Sequence, residues 1–503
     1  MKILSLTSAF LAWTTFHSVH GSTCSPPDPL DYHPSIGMKV EYVGSVPTNT
    51  TDAWTYNMNV EDNFEDSLFF LDQLMGKIFY YDGDSVSNVF DIATSTIPDG
   101  ITLDWTSAHV GAAQTNKVHA MTQGSSSDEV YVVFTSTTLP SEFTEAQAKL
   151  PAEGAFPGYI CPTPQFTRDL YRIGDDVDCL STETIYNVFY KYSLGSDGSL
   201  SDPEAFFVVE NQLSPGHLGG GIVTLDDGRV LWSVGDCIPY GADGRYVPQM
   251  DCQDCNCGKI LLIDPSDSSF EVVAKGVRNS QQMRIINRPR KDPSTTAPDT
   301  LVFMDIGGVT AEEVNAIPIY KLLNSDSIAN FGWGRNIDDG MSREGTFYVG
   351  PGVMGVLGTE PPCEGDAPIL ESGYVQPWIQ FGRTETDYYY AISSFAVAYD
   401  SFSNLELIWS EFNTGHIMGT DKRYYRGAKN SGPVKGYKIK LYDVDGNYLE
   451  NGVNDLVLEE LGEVGYYRGD PRLFHYPDGT AGVFIERTGT FYRLTEIVLN
   501  IFS

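Results

Sequence analysis

Positive charge is scarce in this chain: 32 Lys and Arg stand against 67 Asp and Glu, a net charge of −35. So acidic a surface repels polyanions, which excludes nucleic acid and an anionic membrane face as partners. Long apolar runs are scarce too. The sustained one opens the chain, where Met1 and Lys2 precede a mostly apolar stretch from Ile3 to Phe16. It is too short to span a bilayer, and with Val19-His20-Gly21 behind it, residues 1–21 read as a secretory signal. No later segment has spanning length, and Ile497–Phe502 is too short for an anchor signal. The expectation is a secreted, extracellular protein with no membrane span. Helical periodicity sustained over a dozen residues is absent, and no Pro/Ser-rich linker divides the chain.

What is present begins with eight cysteines: Cys24, Cys161, Cys179, Cys237, Cys252, Cys255, Cys257 and Cys363. An even number in an exported chain implies disulfides, with the connectivity open. The run Cys252-Gln253-Asp254-Cys255-Asn256-Cys257 invites a zinc reading. No histidine or further cysteine pair lies at ligand spacing, and the compartment is oxidising, so disulfides are expected there instead. Asn49-Thr50-Thr51 is a glycosylation sequon.

Asp-Gly pairs punctuate apolar runs at Asp82-Gly83, Asp197-Gly198, Asp227-Gly228, Asp445-Gly446 and Asp478-Gly479, which is hairpin chemistry. The chain reads as all-β. A recurring unit starts with a polar turn and a short apolar strand, seen at Ser67–Asp72, Asp128–Phe134, Asp227–Asp236, Asp299–Asp305, Asn404–Ser410 and Asp478–Ile485. Several units then repeat a Gly/Lys-Ile-type strand, as at Gly76–Asp82, Gly258–Asp264, Gly436–Tyr442 and Gly489–Leu494. Six units over the mature chain leave about 80 residues each, enough for a four-stranded blade and its loops. These patterns predict one six-bladed β-propeller domain over residues 22–503. A stack of β-sandwich domains is the alternative that the strand pattern leaves open.

Four features carry chemistry. His217, in Ser214-Pro215-Gly216-His217-Leu218-Gly219-Gly220-Gly221, sits just before a strand, where an imidazole suits general-base work and glycines admit a flat ligand. Taken alone, it reads more readily as a structural histidine than as a base. Arg278 and Asn279, with Gln281 two residues on, offer a guanidinium fork and amides for carboxylates or carbonyls. Asp305-Ile306-Gly307-Gly308 exposes carbonyl oxygens ahead of the Glu312-Glu313 pair, the oxygen-rich setting that calcium takes. Finally, the scarce cations gather late, at Lys422-Arg423, Arg426, Lys429, Lys435, Arg468 and Arg472, a set suited to one anionic ligand.

In this order and before these strands, the features resemble the glucose/sorbosone dehydrogenase family, whose members bind pyrroloquinoline quinone. The resemblance is carried by Gly258-Lys259-Ile260-Leu261-Leu262-Ile263-Asp264-Pro265, by Lys275-Gly276-Val277-Arg278-Asn279-Ser280-Gln281 and by Ala329-Asn330-Phe331-Gly332-Trp333. It runs over residues 213–494. It implies His217 as the base that takes a sugar hydroxyl proton, with Arg278 beside it in the catalytic site. Arg278, Asn279, Gln281, Lys422, Arg468 and Arg472 are implied as cofactor contacts, and Gly307, Gly308, Glu312 and Glu313 as calcium ligands. The implied activity is oxidation of an aldose to its lactone, with electrons passed to an external acceptor. Ser280 and Gly308 stand where the family commonly has proline. Two other readings remain: a non-enzymatic extracellular propeller that binds a protein or carbohydrate partner, and a calcium-dependent lactonase.

Overall fold

The computed structural model describes residues 30–47, 58–64, 67–73, 76–91, 117–136, 139–144, 185–211, 219–235, 258–286, 299–306, 311–324, 328–331, 334–335, 342–343, 375, 377–382, 392–397, 404–412, 414–421, 436–461 and 469–499. Residues 1–21, expected to be a signal, all eight cysteines and the Asn49 sequon lie outside them.

Strands dominate, as composition and turn chemistry predict. A long strand, β1 (Tyr32–Ser45), comes first. Next, β2 (Met58–Glu61), β3 (Leu68–Asp72), β4 (Lys77–Tyr81) and β5 (Val86–Asp91) form one antiparallel meander. A second meander comprises β6 (Lys117–Gln123), β7 (Glu129–Ser136), β8 (Ile185–Leu194) and β9 (Leu200–Asn211). The third holds β10 (Ile222–Thr224), β11 (Val230–Val234), β12 (Lys259–Asp264) and β13 (Ser269–Lys275). The fourth begins with β14 (Met283–Ile286), β15 (Thr300–Asp305) and β16 (Ala311–Pro318), followed by a short helix, α1 (Ile319–Leu323). Then β17 (Ala329–Asn330) adds to β13, β18 (Gly334–Arg335) pairs with β19 (Ser342–Arg343), and β20 (Ile379–Gly382) completes the fourth sheet. The remaining strands are β21 (Ile392–Val397), β22 (Leu405–Glu411), β23 (Ile417–Asp421), β24 (Tyr437–Tyr442) and β25 (Tyr448–Leu449). After α2 (Asn454–Leu461) come β26 (Pro471–His475), β27 (Ala481–Ile485) and β28 (Thr490–Val498).

All six apolar runs read from the sequence are strands, and every glycine of the five Asp-Gly pairs has a positive φ, between 77° and 98°. The second strands β3, β11, β22 and β27 are buried at every position, because neighbouring sheets cover both their faces. Aromatic side chains make those covers: Phe189 of β8 packs edge-on to Trp232 of β11, with ring centroids 5.2 Å apart. Phe70 of β3 lies 5.0 Å from Phe484 of β27.

The expected single ring of six blades is corrected by the sheet topology. The first four meanders are separate sheets in a four-bladed propeller arrangement, whereas the strands of the last two units merge into one nine-stranded sheet. Its main path runs β21-β22-β23-β24-β1-β28-β27-β26, with β25 attached to β24. The joining strand is β1, which pairs antiparallel with β28 along one edge and parallel with β24 along the other. Gly37 eases the parallel edge, since a Cβ there would stand a tight 3.1 Å from the Lys440 carbonyl oxygen. His33 adds a pin. Its Nδ1 accepts the Ile36 N–H at 2.9 Å, so the Nε2–H donates to Asp421 at the end of β23, also at 2.9 Å. The sheet folds over its own core of Met38, Ile408, Leu441, Leu473 and Val483. Its end strands meet where Ser394 Oγ of β21 accepts the Leu473 N–H of β26, with Ser410 Oγ of β22 donating to the Pro471 carbonyl at 2.8 Å, so an eight-strand path nearly closes on itself.

The first strands β2, β6, β10 and β14 lie side by side, with β26 beside β2 and β21 beside β26. They form the inner wall of the molecule, and their two ends define where polar side chains converge.

Candidate functional site

The Arg278–Gln281 segment lies between β13 and β14, at the leading ends of the first strands. Asp305, the last residue of β15, sets its conformation. Both carboxylate oxygens accept the Arg278 N–H at 2.9 Å, and Oδ1 also accepts the Asn279 N–H at 2.8 Å. The Arg278 side chain then donates from Nη1 to the Ile306 carbonyl at 2.8 Å. Asn279 Oδ1 accepts the Gly219 N–H at 3.2 Å. Ser233 Oγ and the Gly221 N–H both donate to the Ser280 carbonyl, at 2.6 and 3.1 Å.

Arg472, at the start of β26, reaches the same segment from the far side of the wall. Its Nη1 donates to Gln281 Oε1 at 2.8 Å, while its Nε is paired with the buried carboxylate of Glu486. The structure therefore brings together Arg278, Asn279, Gln281 and Arg472, the sequence-derived cofactor contacts that fall within the described residues. Two guanidinium groups and two amides are the donor chemistry that the carboxylates and carbonyls of a quinone cofactor would require.

His217, Gly307, Gly308, Lys422 and Arg468 lie outside the described residues. The chain is described again at Gly219, next to Asn279. The glycines that follow His217 have a packing reason. A Cβ on Gly219 would stand 2.3 Å from the Ser233 carbonyl oxygen, and one on Gly221 would stand 2.7 Å from Met283. Protein, rather than a flat ligand, occupies that space.

Glu312 and Glu313 are neighbours on β16, so their side chains take opposite faces. Glu312 is fully buried, and its Oε2 accepts the Ile392 N–H of β21 at 3.3 Å. Glu313 stands across the ladder from Asp305. The pair does not converge on one ion. Among the described residues, no group of three or more His, Cys, Asp or Glu is placed to hold a metal.

At the trailing ends of the first strands lies a second polar cluster that the sequence reading did not find. Asp62 follows β2, Arg284 is in β14 and His475 ends β26. Asp62 Oδ1 pairs with Arg284 Nη2, and its Oδ2 accepts the His475 N–H, with His475 Nδ1 3.3 Å away. His475 Nε2 lies 2.8 Å from the Val397 carbonyl oxygen. Residues 62, 284 and 475 share no sequence window, so no spacing signal announces them.

The adjacent carboxylates of this cluster have opposite electrostatics. Burial works against the charge on Asp62, but Arg284 and His475 outweigh it and hold the carboxyl below its usual range. Glu61 is pushed well above the usual range, by burial first and by the nearby Asp62 charge second. Asp62 therefore contributes stability above its unfolded value of about 3.9 that is lost as pH falls through the lower folded value. Glu61 has the reverse sign: its contribution is present below about pH 4.3 and is lost as pH rises through the raised folded value. Glu61→Gln is expected to flatten that loss, read as urea midpoints that fall less between about pH 4 and 8 than those of the unaltered protein. A parallel pair of pH profiles refutes the assignment.

Among the described residues, no helix is long and apolar enough to cross a membrane. No protein-family model matches the sequence, and no curated protein sequence matches it. Solved structures show distant similarity to several oxidoreductases and carbohydrate-active enzymes, without singling out one family. A glucose dehydrogenase is 13% identical, with a TM-score of 0.47 over 92% of this chain and 99% of that one. A putative oxidoreductase (glucose dehydrogenase) from Thermus thermophilus is 13% identical, with a TM-score of 0.43 over 87% of this chain and 100% of its own. A Trichoderma reesei protein of carbohydrate-active enzyme family AA12 is 11% identical, with a TM-score of 0.46 over 95% of this chain and 100% of its own.

Proposed function

We propose that this chain is a secreted oxidoreductase that oxidises a sugar hydroxyl, with pyrroloquinoline quinone held at the leading ends of the first strands. The observation that carries the reading is the Arg278–Asn279 segment, clamped by the Asp305 carboxylate and joined through Gln281 to Arg472. In a protein of net charge −35, two guanidinium groups at one inner end have a purpose if the ligand is a polyanion. When bound, the quinone supplies a two-electron acceptor, which no amino-acid side chain provides.

The chain's own residues do the rest. Arg278 and Arg472 bind carboxylates, and Asn279 and Gln281 orient carbonyls. His217 takes the proton of the sugar hydroxyl as general base. Calcium enters this reading through Gly307 and Gly308, with Lys422 and Arg468 as further contacts to the cofactor's acidic edge. Glu312 and Glu313, on opposite faces of β16, take no joint part.

The test is absorbance titration of purified, metal-stripped protein with the quinone and calcium, followed by sugar. A bound spectrum that bleaches on sugar addition supports the reading. His217→Ala is expected to keep cofactor affinity and to lose about 10²–10⁴-fold in turnover, the usual contribution of a positioned base. Unchanged turnover overturns the base role, and no binding at micromolar quinone overturns the enzyme reading in favour of a propeller-like binding module.

A further inference from the structure

The geometry points to His119 as a positioning residue for the site at the leading ends. Its ring braces the Gly219–Gly221 strip, and through that strip it sets the orientation of the Asn279 amide. The inference rests on the reading of that site as a quinone site, and it gives one of the proposed contacts a support from a different meander.

His119 is the third residue of β6, and the ladder with β7 slips there. Val118 faces Phe134 and Ala120 faces Val133, so His119 is the extra residue of a β-bulge. A bulge re-aims its side chain, and bulges recur beside functional sites. Here the buried ring reaches the third meander and lies edge-on to Trp232 of β11, with centroids 5.4 Å apart. The backbone is held from the first meander, since the His119 carbonyl accepts the Gln73 Nε2–H at 2.6 Å.

The ring meets the strip at Gly220. A Cβ there would stand 2.9 Å from His119 Nε2 and 3.2 Å from Cε1, and the Gly220 φ of 112° is one that other residues rarely adopt. The Gly220 N–H donates to the Ser233 carbonyl at 3.1 Å, and the Gly219 N–H donates to Asn279 Oδ1 at 3.2 Å. The strip leads into β10, which has β6 on one side and β14 on the other. It is therefore held between His119 on β6 and Asn279 in the segment ahead of β14. With Oδ1 turned to Gly219, the Nδ2 donors of Asn279 point away from the strip, the polarity that a ligand carbonyl or carboxylate requires. Without the ring, the strip can shift towards β6 and the amide can turn with it. His217 precedes Gly219 by two residues, so the same brace bears on the proposed base.

The test compares His119→Ala with Val132→Ala, a truncation in the core of the same meander. Quinone affinity is expected to fall about 10–100-fold in His119→Ala, the usual cost of losing the support behind a ligand-binding side chain, and to hold in folded Val132→Ala. In an Asn279→Ala background, His119→Ala should cost no further affinity, because its effect passes through that amide. Equal losses in the two truncations, or full additivity with Asn279→Ala, overturn the inference. His119→Asn, a smaller loss of volume, replaces His119→Ala if that variant does not fold, and the same outcomes decide. Hydrogen exchange without quinone separates this inference from the oxidoreductase reading. Exchange of a peptide spanning Gly219–Ile222 should be faster in His119→Ala than in Val132→Ala, whether or not the unaltered protein binds quinone, and equal rates refute the brace.

Discussion

Asp305→Ala is expected to lower the free energy of unfolding by about 4 kcal/mol, because it leaves two buried N–H groups without acceptors at about 1–3 kcal/mol each. The carboxylate is 4% exposed and accepts the N–H groups of Arg278 and Asn279 in charge-assisted bonds of 2.8 to 2.9 Å. Asp305→Asn keeps one acceptor oxygen and should lose roughly half as much. The functional effect should exceed the stability effect. A released Arg278–Asn279 segment no longer presents its guanidinium and amide together, and quinone affinity is expected to fall by more than tenfold even where the protein stays folded. Urea denaturation and quinone titration of the same preparations separate the two effects. A stability loss under about 1 kcal/mol refutes the anchoring role.

Asp62→Ala is the second large effect, expected to cost about 3–5 kcal/mol, because it leaves Arg284 buried beside an empty place where its counter-charge stood. The loss should largely disappear in the double replacement. Asp62→Leu combined with Arg284→Met removes both charges, and a buried ion pair exchanged for apolar side chains is often neutral. The double variant should therefore be more stable than Asp62→Ala alone, and the double-mutant cycle measures the coupling. Equal losses in the single and double variants would mean that the pair contributes nothing through its charge. His475 adds a control: it touches the same carboxylate, so His475→Ala should shift the acid limb of the stability profile in the direction set by Asp62.

The site was partly legible, for reasons that differ from residue to residue. Arg278, Asn279 and Gln281 stand within four positions, so a local motif reveals them. Arg472 joins them only through the fold, across 191 positions to Gln281. Asp305 was visible as the start of a glycine loop, but its role is to hold backbone N–H groups, which leaves no compositional trace. Glu312 and Glu313 look like a ligand pair in the sequence, yet strand geometry turns them apart. The glycines after His217 signal a close approach, and the sequence does not say to what.

The amino-acid sequence by itself determined the strands and their turns. Apolar runs such as Val230–Val234 and Leu405–Glu411 need burial on both faces, and Asp-Gly pairs supply the positive φ that tight turns require. Only the tertiary structure decided how those strands were shared among sheets. Any strand has two edges, and a hydrophobic pattern specifies faces rather than edges. At β1, one edge took β28 and the other took β24, which merged two expected blades into one nine-stranded sheet. The same limit applies to the polar clusters. Asp62, Arg284 and His475 meet because β2 and β26 end side by side and the Arg284 side chain reaches them from β14, and that meeting depends on packing across the whole chain, beyond the reach of any local window.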